Sequence, residues 1–351
     1  MTALSNSPAY RVAVIGLGYF SQFHVRAWQS IGRTNLVGVC DVDPAKAEQA
    51  AHDMGVRGFT DLPDLLRETN PDIVDIVAPP PAHRNTIETA ARADRLLICQ
   101  KPFCQSVAEA EAVADLADEL NMPLIVHENF RFQPWHRELK KHLDSGTLGQ
   151  IFQAHFALRP GDGRGPDAYL SRQPTFQKMQ KFLIHETGVH FIDLFGWLFG
   201  EITDVYADLR QLNPSIAGED AGLLLMDHAG GVRTVFDGNR LADHATDNPR
   251  RTMGELIVEG EKGSIRLDGR GRLFFRAFGQ ESEIALPIED QVDEAAFGGG
   301  CVEALCKHAV AALEGKSAFE NSARDYLGVM RTVDAAYRSA AAGRKVTVIR
   351  A

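Results

Sequence analysis

No apolar run in the chain approaches the roughly 18 residues that a membrane-spanning helix needs, which excludes that class and leaves a soluble protein as the expectation. Basic runs are also missing: 37 Lys and Arg stand against 47 Asp and Glu for a net charge of −10. That balance argues against nucleic acid or an anionic membrane surface as the main partner and suits a small neutral substrate. Met1–Tyr10 has neither a cationic start nor an apolar core, so nothing suggests export. The five cysteines, at positions 40, 99, 104, 301 and 306, form no CxxC and no zinc-site spacing, so the expectation is reduced thiols, a cytoplasmic location and no metal. Internal repeats and low-complexity tracts are absent.

At 351 residues the chain exceeds what one core usually organises, and two domains are expected, over 1–127 and 128–351, with the last helix able to pack back on the first domain. Strands are predicted at 11–16, 35–41, 72–77, 95–99 and 123–127. Between them, Ser21–Ile31, Pro44–Met54, Asp61–Glu68, Ala82–Ala93 and Ser106–Leu120 have helical spacing. Such alternation predicts an N-terminal domain of the α/β class, a doubly wound parallel sheet covered by helices on both faces. Beyond Asn129 come a helix near Pro134–Ser145, a strand at Ile151–Leu158, a Gly/Pro/Arg-rich loop over Arg159–Gln173 and a helix at Ile184–Phe199. Candidate strands at 202–209, 220–228, 231–238, 253–259, 263–268 and 272–276 then predict a C-terminal α+β domain with a large open, mainly antiparallel sheet. Helices near Gly300–Leu313 and Ser322–Ala341 and a strand at Val346–Ile349 close the chain.

Val12–Ile15 runs into Gly16-Leu17-Gly18-Tyr19-Phe20-Ser21, a strand-to-helix turn. The first glycine permits the tight turn, and the second lets backbone approach a pyrophosphate seated on the helix N-terminus. Asp41, 23 residues past Gly18, ends the second strand, where a carboxylate accepts from a ribose diol and repels a 2′-phosphate. NAD is the expected cofactor over NADP, with Gly16, Gly18, Tyr19, Phe20 and Asp41 holding it. Pro79, His83, Gln100 and Asn129, at or beyond later strand ends, are assigned to the same edge. For His83 a solvated helix start is an equal reading, and at the domain junction a structural hinge competes with Asn129 touching the cofactor and Arg131 the substrate.

Lys101 is delivered to a strand end by Leu97–Gln100 and followed by Pro102. A half-desolvated ammonium there stabilises a developing alkoxide. On the helix over 184–199, Glu186, His190 and Asp193 share one face, so Glu186 orients His190 as the base that takes a hydroxyl proton. The competing reading is a satisfied core histidine. His185 and His190 do not make a zinc helix, because residues five apart point about 140° away from each other.

The order Gly16-x-Gly18, Asp41, Pro79-x-x-x-His83, Lys101-Pro102, Asn129-Phe130-Arg131-Phe132 and Glu186-x-Gly188-x-His190-x-x-Asp193 resembles the Gfo/Idh/MocA (glucose-fructose oxidoreductase, inositol dehydrogenase) oxidoreductases over nearly the whole chain. The resemblance implies an N-terminal Rossmann domain, NAD(P)-dependent oxidation of a sugar or polyol CH–OH, a second domain that binds substrate and often mediates homodimers or homotetramers, Lys101 as the catalytic lysine, His190 as the acid/base and Glu186 as its acidic partner. Lys101, Arg131 and His190 are the expected substrate contacts. Three residues depart from the family pattern: Ser21 for the third glycine, Gln100 for the glutamate of Glu-Lys-Pro, and Glu186 for an aspartate. The combination of Cys99-Gln100-Lys101-Pro102, Arg172-Gln173-Pro174 and Glu186-Thr187-Gly188-Val189-His190 is similar to a subgroup of branched-pentose (D-apiose) and related aldose 1-dehydrogenases. Two other functions fit the same fold: an enzyme that retains NAD for transient oxidation during elimination, and a non-catalytic nucleotide sensor, against which Lys101, Glu186 and His190 together argue.

Overall fold

The computed structural model describes residues 9–290 and 292–349, so residues 1–8 of the segment read for an export signal lie outside the described residues. Two compact units emerge, one built from the chain up to Glu128 with Val302–Leu327, the other from Asn129–Cys301 with the chain from Gly328 onward.

In the first unit β1 (Tyr10–Ile15), β2 (Thr34–Cys40), β3 (Arg57–Phe59), β4 (Ile73–Ile76), β5 (Leu96–Gln100) and β6 (Leu124–His127) form a parallel sheet in the order β3-β2-β1-β4-β5-β6. The crossovers are α1 (Ser21–Ser30), α2 (Pro44–Met54), α3 (Leu62–Thr69), α4 (Pro80–Ala90) and α5 (Val107–Glu119). Strands β4, β5 and β6 are buried at every position, which is why they read as continuous apolar text and not as alternation. Chain direction reverses its spatial order between β1 and β4, and a ligand crevice forms at such a switch point beyond the strand ends. The helix starts are chemically distinct. Asp43, Asp61 and Ser106 cap α2, α3 and α5 with side-chain acceptors, whereas α1 has no side-chain cap.

Two details differ from expectation. β3 is a three-residue edge strand, Arg-Gly-Phe, too short and too poor in β-branched residues to register as one. α4 begins at Pro80 and not at Ala82, since prolines are well suited to the first turn, where their missing N–H groups have no helical partner anyway.

The second unit holds α6 (Pro134–Asp144), β7 (Ile151–Leu158), α7 (Val189–Phe199), β8 (Ile202–Arg210), β9 (Ala221–His228), β10 (Arg233–Asn239), β11 (Gly254–Gly260), β12 (Gly263–Leu267), β13 (Leu273–Ala277), β14 (Ile284–Leu286) and β15 (Val346–Thr347). Of the remaining helices, α8 (Cys301–Leu313) lies almost wholly in the first unit and α9 (Ala323–Ala342) mostly in the second. The nine strands run β14-β13-β12-β11-β7-β10-β9-β8-β15, and every neighbouring pair is antiparallel except β7 with β10. One face is apolar and covered: Phe156 and Phe236 pack their rings against Phe191 of α7, at centroid distances of 3.9 and 5.3 Å. β14 escaped sequence reading because its three residues carry no alternating pattern long enough to count.

Burial in α6 has a pH consequence. His136 is 1% exposed, with Nδ1 against the Phe130 carbonyl at 2.8 Å and Nε2 without a partner. Burial pushes its pKa down from 6.5 to about 4. The unfolded chain therefore takes up a proton that the fold refuses: stability is undiminished above about pH 6.5 and falls as pH drops toward 4, by at most about 3 kcal/mol. His83 and His228 shift the same way for the same reason. In denaturant unfolding, His136→Asn should flatten this acid slope, and an unchanged slope would assign the loss to other groups.

Candidate active site

The nucleotide turn is built by contact on one side and open space on the other. Gly16 sits at φ +90°, and a Cβ there would come within 2.6 Å of the Ala78 nitrogen, so only glycine lets the β1–α1 turn pass the β4–α4 loop. A Cβ at Gly18 would meet nothing within 4 Å. With the uncapped start of α1 beside it, this is the surface that an anionic pyrophosphate needs. Ser21 opens α1 and donates its hydroxyl to the Gly18 carbonyl at 2.7 Å, so the third-glycine position holds the turn through a side chain. Asp41 accepts from the backbone N–H of Leu17 at 2.7 Å and of Asp43 at 2.9 Å, which fixes the carboxylate against the turn. Tyr19 is 36% exposed at the turn, while Phe20 packs on Phe23 at 5.1 Å. These residues fit a dinucleotide.

Pro79 precedes α4 in extended conformation. His83 lies deeper than its expected role: its ring is fully buried, Nδ1 facing the Phe103 carbonyl at 2.9 Å and Nε2 that of Ala78 at 2.8 Å. It fastens the loop after β4 to the loop after β5, and through Ala78 it backs the Gly16 turn. Gln100 likewise turns its amide inward, 2.9 Å from His24 Nε2 and 3.3 Å from His127 Nδ1, and accepts from the Lys101 N–H at 2.8 Å. Lys101 itself is half-buried.

In the second unit the expected continuous helix over 184–199 is corrected. Leu183–Gly188 is wound as a π-helix, and α7 starts only at Val189. Outside acceptors explain the change of winding: Glu219 takes the N–H groups of Leu183, through its carbonyl at 2.9 Å, and of Ile184, through its carboxylate at 3.1 Å. The Tyr337 hydroxyl takes that of His185 at 3.2 Å. Glu186 therefore sits on π-wound backbone while His190 and Asp193 sit on α-helix, and the simple three-and-four spacing does not describe the set. π-turns of this kind recur at functional sites.

His190 is 6% exposed, and its ring lies flat on Phe130, with centroids 3.9 Å apart and planes 3° from parallel. The carbonyl of Phe130 is held by His136. Asp193 is paired through both oxygens with Arg131, whose Nε lies 2.9 Å from Oδ2. Arg131 thus grips the helix that carries His190. Asn129 donates to Cys301 Sγ at 3.0 Å.

Arg240 joins this region to the Arg159–Gln173 loop. Its side chain is fully buried, its Nε donates to the Tyr169 hydroxyl at 2.7 Å, Nη1 donates to Thr187 and lies 3.7 Å from Glu186 Oε2, and Nη2 lies 3.4 Å from Asp162. Arg172 also reaches Asp162, at 3.3 Å, and the Asn213 amide donates to the carbonyls of Gly163 and Gly165 at 2.7 and 2.8 Å. The glycine-rich loop is consequently bound down at several points. Carboxylates hold the Arg240 guanidinium in its charged form against the burial that opposes it. Sequence reading missed Phe130 as the ring under His190, and Arg240 altogether. Phe130 could have been suspected from its place in the junction motif, but a lone arginine after a strand carries no signal.

Comparison with known proteins gives the family. The family described as an oxidoreductase family with an NAD-binding Rossmann fold matches residues 10–128, and the GFO/IDH/MocA C-terminal domain matches residues 136–266. The chain belongs to the Gfo/Idh/MocA oxidoreductases, and it is an enzyme of that class. It is 32% identical to a D-apiose dehydrogenase of Paraburkholderia graminis over 96% of this chain and 89% of that one. A D-apiose dehydrogenase of Rhizobium rhizogenes is 30% identical over 98% of this chain and 99% of its own. Among solved structures, an oxidoreductase from Agrobacterium radiobacter in complex with NAD+, L-tartaric acid and magnesium superposes with a TM-score of 0.87 at 29% identity, covering 97% of this chain and 98% of that one.

Proposed function

We propose that this enzyme is an NAD-dependent dehydrogenase that oxidises a carbinol of a small sugar or polyol, an aldose C1 hydroxyl in the first place, giving a lactone. The substrate class rests on near full-length similarity to D-apiose dehydrogenases. The choice of NAD over NADP rests on Asp41, whose carboxylate is fixed beside the turn by two backbone donors.

NAD, when bound, accepts the hydride from carbon. Gly16, Gly18, Tyr19, Phe20, the start of α1 and Asp41 would hold it, with Pro79, His83 and Asn129 shaping the surrounding edge and Gln100 acting from behind it through Lys101. His190 takes the proton of the substrate hydroxyl, with Glu186 as its acidic partner and the flat contact with Phe130 fixing the imidazole plane. Lys101 stabilises the negative charge that develops on the substrate oxygen. Arg131, through its pairing with Asp193, positions the helix of His190 next to the substrate. The test is NADH formation with a panel of aldoses, lactones and inositols offered with NAD and then NADP. The reading expects turnover with an aldose and preference for NAD; turnover with NADP alone would overturn the cofactor choice, and turnover only with inositols would overturn the C1 assignment.

The 128–351 region would bind substrate and also associate with a second copy. Leu225, Val235, His155 and Ile257 stand in register across β9, β10, β7 and β11 on the half-exposed face of the sheet, opposite the face covered by α7. A mainly apolar row of this kind favours pairing. Sedimentation should give a dimer or tetramer, and Val235→Lys should dissociate it; a monomeric native protein would refute the association.

A further inference from the structure

We propose that Gln100, His24 and Asp75 form a positioning chain for Lys101, in which Gln100 ties the Lys101 backbone to a neutral His24 ring and, through it, to the Asp75 side chain in the core. This rests on the reading of Lys101 given above.

The proton assignments follow from the donors. The Lys101 N–H can only donate, and it meets Gln100 Oε1 at 2.8 Å, so the amide has one orientation and presents its NH2 to His24 Nε2 at 2.9 Å. That nitrogen must accept, and the single proton of a neutral ring then lies on Nδ1. Nδ1 meets Asp75 Oδ2 at 2.8 Å, where the Trp28 indole N–H also donates at 2.6 Å. Were Asp75 protonated and donating to Nδ1, both nitrogens of His24 would be acceptors, which would require an imidazolate. A doubly protonated His24 would set one N–H against the NH2 of Gln100. Only an Nδ1–H His24 with Asp75 Oδ2 as its acceptor satisfies every contact. The other N–H of the Gln100 amide points to His127 Nδ1 at 3.3 Å, and the two imidazoles lie 4.1 Å apart.

All of this is buried. Asp75 and His24 have no exposure and Gln100 has 7%, while Asp75 Oδ1 has no hydrogen-bond partner. A buried carboxyl group in mid-strand, with two N–H donors on one oxygen and none on the other, is a costly arrangement for structure by itself. The titratable groups around the chain are His127 at the end of β6, Lys101 after β5, and the thiols of Cys99 on β5 and Cys306 on α8. Both thiols are raised well above their ordinary value, by burial first and with a contribution from the charge of Asp75, so they remain protonated beside it. A glutamate at position 100, as in the family's Glu-Lys-Pro, would still accept from Lys101 but would face His24 Nε2 with an acceptor in place of a donor, favouring a proton on both ring nitrogens. Glutamine is therefore what keeps the ring neutral here.

The test uses the intact protein labelled with 15N-histidine. In the native enzyme His24, assigned by the signals lost in His24→Asn, should show a protonated Nδ1 and a bare Nε2. In Gln100→Glu it should shift to the doubly protonated form. Gln100→Met, which removes both halves of the link, should lower kcat by about 10-fold or more with NAD affinity within about 3-fold, because a displaced ammonium costs turnover and not cofactor binding. An Nε2–H or doubly protonated His24 in the native protein would overturn the chain whether or not the variants fold. An undiminished kcat in Gln100→Met would overturn the positioning role. Ring protonation is read without turnover, so failure there is separate from failure of Lys101 as a catalytic group, which a fully active Lys101→Ala would reveal.

Discussion

Replacing Lys101 by alanine is expected to lower kcat by on the order of 10²-fold or more, the size of effect seen when one donor to a developing oxyanion is removed. NAD binding should change little, because the turn at Gly16 and Gly18 and the carboxylate of Asp41 lie in other loops of the same unit. A charge that acts on the reacting oxygen affects the transition state more than the ground state, so kcat and kcat/KM should fall together. Lys101→Arg should not restore turnover, since a broad planar guanidinium cannot replace a compact ammonium at one oxygen. Alanine and native enzymes with equal kcat, in a variant that keeps its native melting temperature, would remove Lys101 from the chemistry.

The second large effect is expected at Arg240. Arg240→Met keeps much of the side-chain volume but leaves Asp162 and Glu186 without a guanidinium that contacts both, and leaves the Tyr169 hydroxyl without its donor. Removing one member of a buried charge network costs about 3–5 kcal/mol, because the remaining charges have lost their compensation. The partial exposure of Asp162 and Glu186 and the second contact from Arg172 to Asp162 place the expectation at the lower end. Turnover should fall as well, since the same guanidinium ties Thr187 and Glu186 to Asp162 and Tyr169 of the Arg159–Gln173 loop. Equilibrium unfolding in denaturant measures the first effect, and a loss under about 1 kcal/mol would show that Arg240 is a bystander.

Local patterning explains what sequence reading could see. α2 was legible to the residue because Asp43 caps it, Pro44 opens it and Gly55 closes it in the left-handed region. The glycine turn was legible because its chemistry lies in consecutive residues. What escaped depends on long-range partners. The π-winding at Leu183–Gly188 follows from Glu219 and Tyr337, 35 and 152 residues from the groups they hold. Gln100 reads as a border residue of the cofactor edge, and only the positions of His24 and Asp75, 76 residues or fewer away in the chain, turn its amide into the core. The hinge reading has Arg131 pairing a carboxylate, but nothing in the sequence names Asp193, 62 residues on, as that partner.

The most direct test follows the hydrogen itself. The sugar or polyol that gives turnover is prepared with deuterium on the carbon to be oxidised and mixed with enzyme and NAD, and the nucleotide is then weighed by mass spectrometry. The account predicts that the reduced nucleotide carries the deuterium in stoichiometric amount with the oxidised product. Deuterium retained in the sugar, or lost to water with no net reduced nucleotide, would contradict it.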